Sequence, residues 1–450
     1  MTASRSASLL VALGLAGCSS LLDVKNPNNV SADDLNNPTA APSIANGALS
    51  STARAWGALL TEYATVSDEL TWIGSRDGYR ELDVGFLTNQ TNEFVDAAFP
   101  FVGESRWLSD FAIQKLSTFD AAGTLKNRDD LARAYLYAAT AYVMIGDNFN
   151  NFPIASDRQQ AAPPVGRDNM YQVYDTAVAY TTRGIAIAQA TGNKNLQLAL
   201  TAVRARARFA RVVWFKLYPN DVGVPHGGPF VNDAAVTADA QAALALAVAT
   251  PDWKFRFNYG PTTVDNTIGA WVNSRQEMRV GNAYIDRSVT PADTLRDPIT
   301  NAVDPEIRRA LVEFKATAST QFYTPLTVAS ARELYLMLAE AALAAGDTLD
   351  ATGQFAVNIN AVRALNSLPA YDPANAAHPR PVVMLKYERK ESLFLEGWRL
   401  HDLYRFGDRA DMWQSVVPVA EAIQKPGTVF PITQVELLAN PYCVANPASC

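Results

Sequence analysis

The stretch from Asp129 to Gly146 reads Asp-Asp-Leu-Ala-Arg-Ala-Tyr-Leu-Tyr-Ala-Ala-Thr-Ala-Tyr-Val-Met-Ile-Gly, and past its first turn it is nearly apolar on all sides. A helix of that kind cannot lie on a surface; it has to be surrounded by others. Acidic residues open it, as suits the positive end of a helix dipole, and Gly146 stands where a C-terminal cap is expected. The pattern recurs once. Tyr135-Leu136 with Ala139, Ala141, Gly146 and Asp147 reappears as Tyr335-Leu336 with Ala339, Ala341, Gly346 and Asp347. Small residues inside paired helices that end in Gly-Asp point to tetratricopeptide-like hairpins in a mainly α fold. Chance likeness between Ala-rich helices is the alternative. The copies are not in tandem, so a helical-repeat scaffold for binding proteins lacks its defining period of about 34 residues.

Helical periodicity also marks Ile44 to about Trp72, Met170–Ala190, Asn195–Tyr218, and, further on, Ala329–Ala345, Ala351–Leu365 and Val382–Trp413. Between them, residues 219–328 are rich in Gly, Pro, Asn and Asp and read as an irregular insertion. Within it Trp253, Phe255, Phe257 and Tyr259 alternate with polar residues, the period of a short strand. With 48% hydrophobic and 18% charged residues, the 450-residue chain can bury a large core. A net charge of −7 argues against a nucleic-acid partner, since phosphate binding needs a basic face. No Cys/His spacing suggests a metal, and no cofactor is implied.

The beginning reads as a targeting segment. An apolar run, Ala7–Ala16, is too short for a bilayer, which needs about 20 residues, but it suits a secretory signal. Leu15-Ala16-Gly17-Cys18 looks like a bacterial lipobox, which makes residues 1–17 the signal and Cys18 the lipid-bearing residue. A plain secretion signal with an incidental cysteine is the alternative. Residues 18–42, rich in Asn, Pro, Asp and Ser, read as a tether and lead-in, followed by one body over 43–450. The helical blocks of that body are about 43–218 and 329–450. Ser19 after Cys18 carries no inner-membrane retention signal, so the outer membrane is the expected address. With Cys18 acylated, Cys443 and Cys450 remain as a disulfide candidate in an oxidising compartment.

Near the C-terminus Glu396, Arg399, Asp402 and Arg405 stand three apart with alternating sign, which predicts one charged stripe on a helix. The stripe can pair within itself and with Arg389, and Glu340 can pair with Arg363 between helices. Such a helix can be buried if its charges satisfy one another. The stretch Glu388-Arg389 … Glu396-Gly397-Trp398-Arg399-Leu400-His401-Asp402-Leu403-Tyr404-Arg405-Phe406-Gly407 resembles the C-terminal motif of SusD/RagB nutrient-binding lipoproteins. Ser392, with Glu391 before it, stands where that family usually has Glu. Agreement in family order extends to Leu22-Asp23-Val24, Ser67-Asp68-Glu69, Gly146-Asp147, Asn360-Ala361-Val362-Arg363 and Phe430-Pro431-Ile432. The resemblance implies a SusD-like fold and non-catalytic capture of a glycan, peptide or similar nutrient. It also implies an outward-facing position over a TonB-dependent SusC-like transporter, with membrane attachment through the lipid only.

Sugar recognition wants flat aromatic faces beside planar polar groups. Two irregular segments offer them: Trp72, Arg76, Asp77, Tyr79 and Arg80, and then Trp271, Asn273, Arg275 and Tyr284. Packing of these aromatics against the helical body is the alternative. An all-helical glycan-active enzyme would need two carboxylates at a fixed separation; Glu396 and Asp402 each have an arginine one turn away, which is expected to keep them ionised and inert. His401 reads as a packed core residue.

Overall fold

The computed structural model describes residues 34–156, 161–218, 225–290, 292–315 and 321–450. Residues 1–17, Cys18 and most of the lead-in lie outside them. Ahead of the expected boundary at residue 42, the described residues form turns at Asp34–Asn36 and Pro38–Ala40. Helix α1 (Ala41–Val66) follows, with Pro42 in its first turn, where a missing N–H is harmless. It stops short of Trp72. Asp68, at φ 72°, turns the chain into a short strand, β1 (Leu70–Trp72).

After α2 (Asp77–Asp83) comes the longest helix, α3 (Glu93–Ala121), which the sequence reading did not mark. Pro100 and Gly103 interrupt its pattern, yet Asn92 caps it by accepting from the N–H groups of Phe94 and Val95. Helices α4 (Asp129–Asn148), α5 (Tyr171–Thr191) and α6 (Lys194–Leu217) then pack successively as hairpins, with α4 also against α1 and α3. Every residue of α4 from Ala134 to Asn148 is buried, as its apolar circumference requires. Gly146 is not its cap. It lies inside the helix, and a Cβ there would come within 2.5 Å of the Tyr174 ring. The glycine serves close approach of α5, whereas Gly346, at φ 79°, does end its own helix.

The insertion is more ordered than expected. It contains α7 (Ala234–Leu246), packed on α6, and α8 (Pro305–Glu313), capped by Asp304. Strand β2 (Lys254–Phe257) pairs antiparallel with β6 (Leu326–Ser330), with a register shift at Phe255/Arg256. Its aromatic face is the core face: Phe257 is buried and Phe255 half-buried. Strands β3 (Met278–Val280), β4 (Ile285–Asp286) and β5 (Asp293–Thr294) complete three two-stranded sheets, β1 with β3 and β4 with β5.

Helices α9 (Ala331–Ala344) and α10 (Gln354–Leu365) form the second pair. The single helix expected over 382–413 is broken into α11 (Pro381–Ser392) and α12 (Arg399–Phe406) by Leu395 (φ 57°) and Gly397 (φ 76°). The break redistributes the predicted stripe. Glu396 precedes α12, and its carboxylate accepts from Ser330 Oγ (2.9 Å) rather than from a guanidinium. Arg399 turns away to Asp68, which it grips through two bonds of 2.9 Å. Asp402 accepts from Arg389 (2.7 and 3.1 Å) and from Arg405 Nε (2.9 Å).

Glu340 does not meet Arg363. It is clasped by both Nη atoms of Arg405, with Arg389 at 3.6 Å, while Arg363 pairs with Asp297 (2.7 Å) and Glu388 (2.9 Å). Ser392 donates to Glu391, whose carboxyl is pushed well above the usual range by burial and by neighbouring Glu388. The arginine expected to hold Glu396 ionised is thus absent, and burial pushes its carboxyl up to about 7. Burial also acts on Asp402, but Arg389 and Arg405 hold it below the usual range. His401 is buried against the Tyr63 hydroxyl (3.2 Å), and burial lowers it to about 4. Cys443 and Cys450 are joined, with Cα atoms 5.6 Å apart.

Glu340→Ala should destabilise the protein by about 3–5 kcal/mol, because Arg405 is left buried without its main counter-charge. Replacing both as Glu340→Met/Arg405→Leu should recover much of that loss. Urea unfolding of the two variants checks the pair: equal loss in both would show that charge compensation is not what Glu340 supplies.

Candidate functional site

The two aromatic segments singled out in the sequence meet through backbone pairing. In the β1–β3 ladder Leu70 faces Val280, Thr71 faces Arg279 and Trp72 faces Met278. Just beyond, the Glu277 carboxylate accepts from the N–H groups of Ser75 (2.6 Å) and Arg76 (3.2 Å) and from Ser75 Oγ (3.0 Å), which fastens one loop to the other. These bonds favour the charged form and lower the Glu277 pKa against the opposing effect of desolvation.

Tyr79 stacks on Phe94 at 3.6 Å and 9°, and Trp271 stands nearly perpendicular to both rings, at 5.2 and 5.3 Å. The Arg275 guanidinium lies 4.5 Å over Trp271, a cation–π contact that leaves its N–H fork at the surface. Trp72 is half-buried, and its Nε1 is enclosed with no hydrogen-bond partner among the described residues. Arg76, Asp77 and Arg80 are exposed around it.

Not every predicted residue belongs here. Tyr79 is completely buried and supports Trp271 from within, so it offers no face to a ligand. Asn273 is buried too; its Nδ2 bonds the carbonyls of Glu313 and Gln321 and shapes the turn. Tyr284 lies apart, packed on Phe394 at 5.0 Å with the Lys390 ammonium 4.8 Å from its ring. Conversely, Phe94 and Glu277 were not anticipated. Asn92, three residues before Val95, was the available signal for the helix start that places Phe94.

The site is anchored to the charged interior. Asp68, just before β1, is the partner of Arg399, and the Glu69 carboxylate accepts the Leu395 N–H at 2.7 Å. Gly281 allows the close approach: a Cβ there would fall 1.9 Å from the Asp68 carbonyl oxygen. Asp83 accepts from Thr71 Oγ1 (2.9 Å) and the Trp72 N–H (3.1 Å), which fixes the strand that carries Trp72.

No protein-family model matches the sequence, and no curated protein matches it. Solved structures do. A SusD superfamily protein from Bacteroides vulgatus is 13% identical with a TM-score of 0.61, covering 91% of this chain and 98% of its own. One from Bacteroides fragilis is 14% identical with a TM-score of 0.60, covering 90% and 98%. A crystal structure with xylogluco-oligosaccharide is 12% identical with a TM-score of 0.55, covering 91% and 97%. The fold is SusD-like.

The SusD-like body also has a concave feature, well apart in sequence from the Trp72–Trp271 cluster. A groove of about 610 Å3 lies between α3, the segment around Phe152–Ala155, and the C-terminal helices α13 (Gln434–Ala439) and α14 (Pro441–Ala445). None of the predicted site residues lines it.

Burial pushes the Glu69 carboxyl up to about 8, against the Leu395 bond that favours its charge. A raised carboxyl stabilises the fold fully below its unfolded pKa and progressively less as pH rises through the folded value. The stability of the wild type relative to Glu69→Gln should therefore fall between about pH 4.5 and 8, by at most about 1.4 kcal/mol per pH unit. Chemical denaturation of both proteins across that range checks it; a difference that does not change with pH would contradict the buried-proton assignment.

Proposed function

We propose that this chain is a non-catalytic, lipid-anchored nutrient-binding protein of the SusD/RagB type. It captures glycans or similar oligomers at the outer membrane and delivers them to a TonB-dependent SusC-like transporter. The observation that carries the reading is the pairing of β1 with β3, which brings the Trp72–Arg76 segment beside the Trp271–Arg275 turn in a SusD-like body. Indole and guanidinium planes beside unspent donors suit the mixed apolar and hydroxyl surface of a sugar. A similar structure is a crystal structure with xylogluco-oligosaccharide, which makes that glycan the first probe.

The motif carboxylates support binding rather than turnover. Glu396 and Asp402 are 3% and 4% exposed, inside the body and away from the candidate site. Cys18 in its lipobox-like setting supports attachment by acyl chains. Among the described residues no helix is long and apolar enough to cross a membrane. In this reading residues 1–17 are removed, 18–42 tether the protein, and 43–450 work as one body around a continuous hydrophobic core.

Trp72→Ala/Trp271→Ala should weaken binding of xylogluco-oligosaccharide, or of whichever glycan binds the wild type, by about tenfold or more, a loss of about 1.4 kcal/mol. Isothermal titration measures it, and unchanged affinity would reject the site. Recovery of a large β-barrel transporter with the protein from detergent-solubilised outer membranes tests delivery; turnover of the glycan by the purified protein would overturn the non-catalytic reading.

A further inference from the structure

Near the start of the described residues the chain is held to α3: Lys115 Nζ donates to the Asn36 side-chain oxygen at 2.6 Å. Lys115 closes a stripe on that helix. Pro100, Glu104, Trp107, Phe111 and Lys115 follow one another at steps of three and four, so they share a face. The Lys115 ammonium lies 5.6 Å from the Phe111 ring, and Phe111 stacks on Trp107 at 5.5 Å and 16°. Both rings are half-buried. The far end of the stripe, from Trp107 to Pro100, belongs to the wall of the groove between α3 and the C-terminal helices. An aromatic track therefore leads from the point where Asn36 is held into the groove.

The accessible surface of the groove is apolar with two acids. Pro100, Val435, Ala439 and Pro441 are exposed along it. Glu104 and Glu436 are half-buried in its walls. Glu104 meets the exposed Arg54 at 3.8 Å, a pair worth little in water. Glu436 accepts from Asn440 Nδ2 at 2.9 Å. Arg106 lies deeper: it is 5% exposed, and its Nη1 is spent on the Ala155 carbonyl (2.6 Å) and on Asp110 (3.4 Å). The occupant that fits has small apolar side chains and one positive charge.

The chain carries such a segment ahead of Asp34. Leu21-Leu22-Asp23-Val24-Lys25 has three apolar residues in five, and Lys25 is the only basic residue between Arg5 and Arg54. The lengths agree. Glu104 and Lys115 are eleven residues apart on α3, about 16 Å at the helical rise. Lys25 and Asn36 are also eleven residues apart, and that much chain spans up to about 36 Å. A segment joined to its site by so short a link has an effective concentration of about a millimolar, so weak contacts suffice to seat it.

We propose that residues 21–25 dock in this groove, with Leu21, Leu22 and Val24 on its apolar surface and Lys25 between Glu104 and Glu436. Residues 26–33 then follow the Trp107–Phe111 stripe back to Asn36. Docking leaves Cys18 only three residues from the groove, within about 10 Å of it, against a reach of about 50 Å for the sixteen residues back from Asp34. If Cys18 bears the lipid, which rests on the proposed function, the groove is held close to the membrane. The docking itself does not depend on acylation.

The test uses the chain from residue 18 onward with Cys18→Ser, which removes acylation from the question. Brief trypsin treatment and mass spectrometry read the rate of cleavage after Lys25, relative to a free peptide of the same residues 18–33. Cleavage of a segment that seats and unseats rapidly tracks its open fraction, so the protein should be cut about tenfold or more slowly than the peptide. Leu21→Ser/Leu22→Ser/Val24→Ser, which leaves the body untouched, should be cut as fast as its own peptide. Gly103→Leu should lose the protection too: Gly103 lines the groove and a Cβ there meets no atom within 4 Å, so the new side chain fills open space. Its melting temperature shows that it is folded; if it is not, the serine variant and a cross-link decide. Oxidation of Leu22→Cys/Ala439→Cys should join positions 22 and 439. All folded variants should bind glycan at the Trp72–Trp271 site as the wild type does, which keeps the two proposals separable. Wild-type cleavage at the peptide's rate, protection that persists in folded Gly103→Leu, or no link between positions 22 and 439 would each overturn the proposal.

Discussion

The structure depends on how a few arginines find carboxylates inside a helical body. Arg405 holds Glu340 and Asp402 at once, and Arg389 shares both acids, so three helices, α9, α11 and α12, are locked at one point. Arg363 does the same for α10, α11 and the Asp297 turn. Taking such charges out of water is unfavourable, and the pairs are worth having only when nearly every N–H and oxygen is matched. Here Arg363 Nη2, Arg389 Nη1 and Glu388 Oε2 are buried without a hydrogen bond among the described residues, so the match is incomplete. A partner moved by one turn leaves a buried charge alone.

One member of the set reaches outward. Arg399 leaves the interior network to hold Asp68, which sits at positive φ at the entrance to β1. Together with the Asp83 bonds to Thr71 and Trp72, that ion pair ties down β1, and pairing with β3 and the Glu277 bonds tie the Trp271 turn to it. Glu69 reinforces the joint by capping the Leu395 N–H beside the chain break that separates α11 from α12. The motif thus positions the candidate site through Asp68 and Glu69.

How much of this was legible in the sequence follows from the range of the interactions. The all-round apolar α4 and the capped α5 and α6 are local matters of period and end residues, and they fall close to where the sequence puts them. The stripe from Glu396 to Arg405 obeys the same spacing rule, yet the helix begins only at Arg399. Gly397 and Leu395 adopt left-handed backbone there, which for leucine no local pattern announces. The partners were less legible still: Glu340 with Arg405 and Arg363 with Asp297 are choices made in three dimensions. At the candidate site the residue types were readable and their depth was not. Tyr79 and Tyr284 look like display residues in sequence and are buried, because Phe94, on the next helix, packs on the first and Phe394, from a segment far along the chain, on the second.

The same division explains a likeness of fold at low identity. The interior network uses few positions, and the helices around it need only be apolar with small residues where neighbours approach, as at Gly146 against Tyr174. Structures 13–14% identical share the fold over about nine tenths of this chain. The loops bearing Trp72 and Trp271 meet weaker demands. They are tied to the body at Asp68, Asp83 and Gly281, and between those ties exposed residues such as Arg76, Arg80 and Arg275 take no part in the ion pairs of the interior. Changes there alter what the surface offers a ligand without disturbing a buried charge, so the recognition surface can vary while the body that carries it does not.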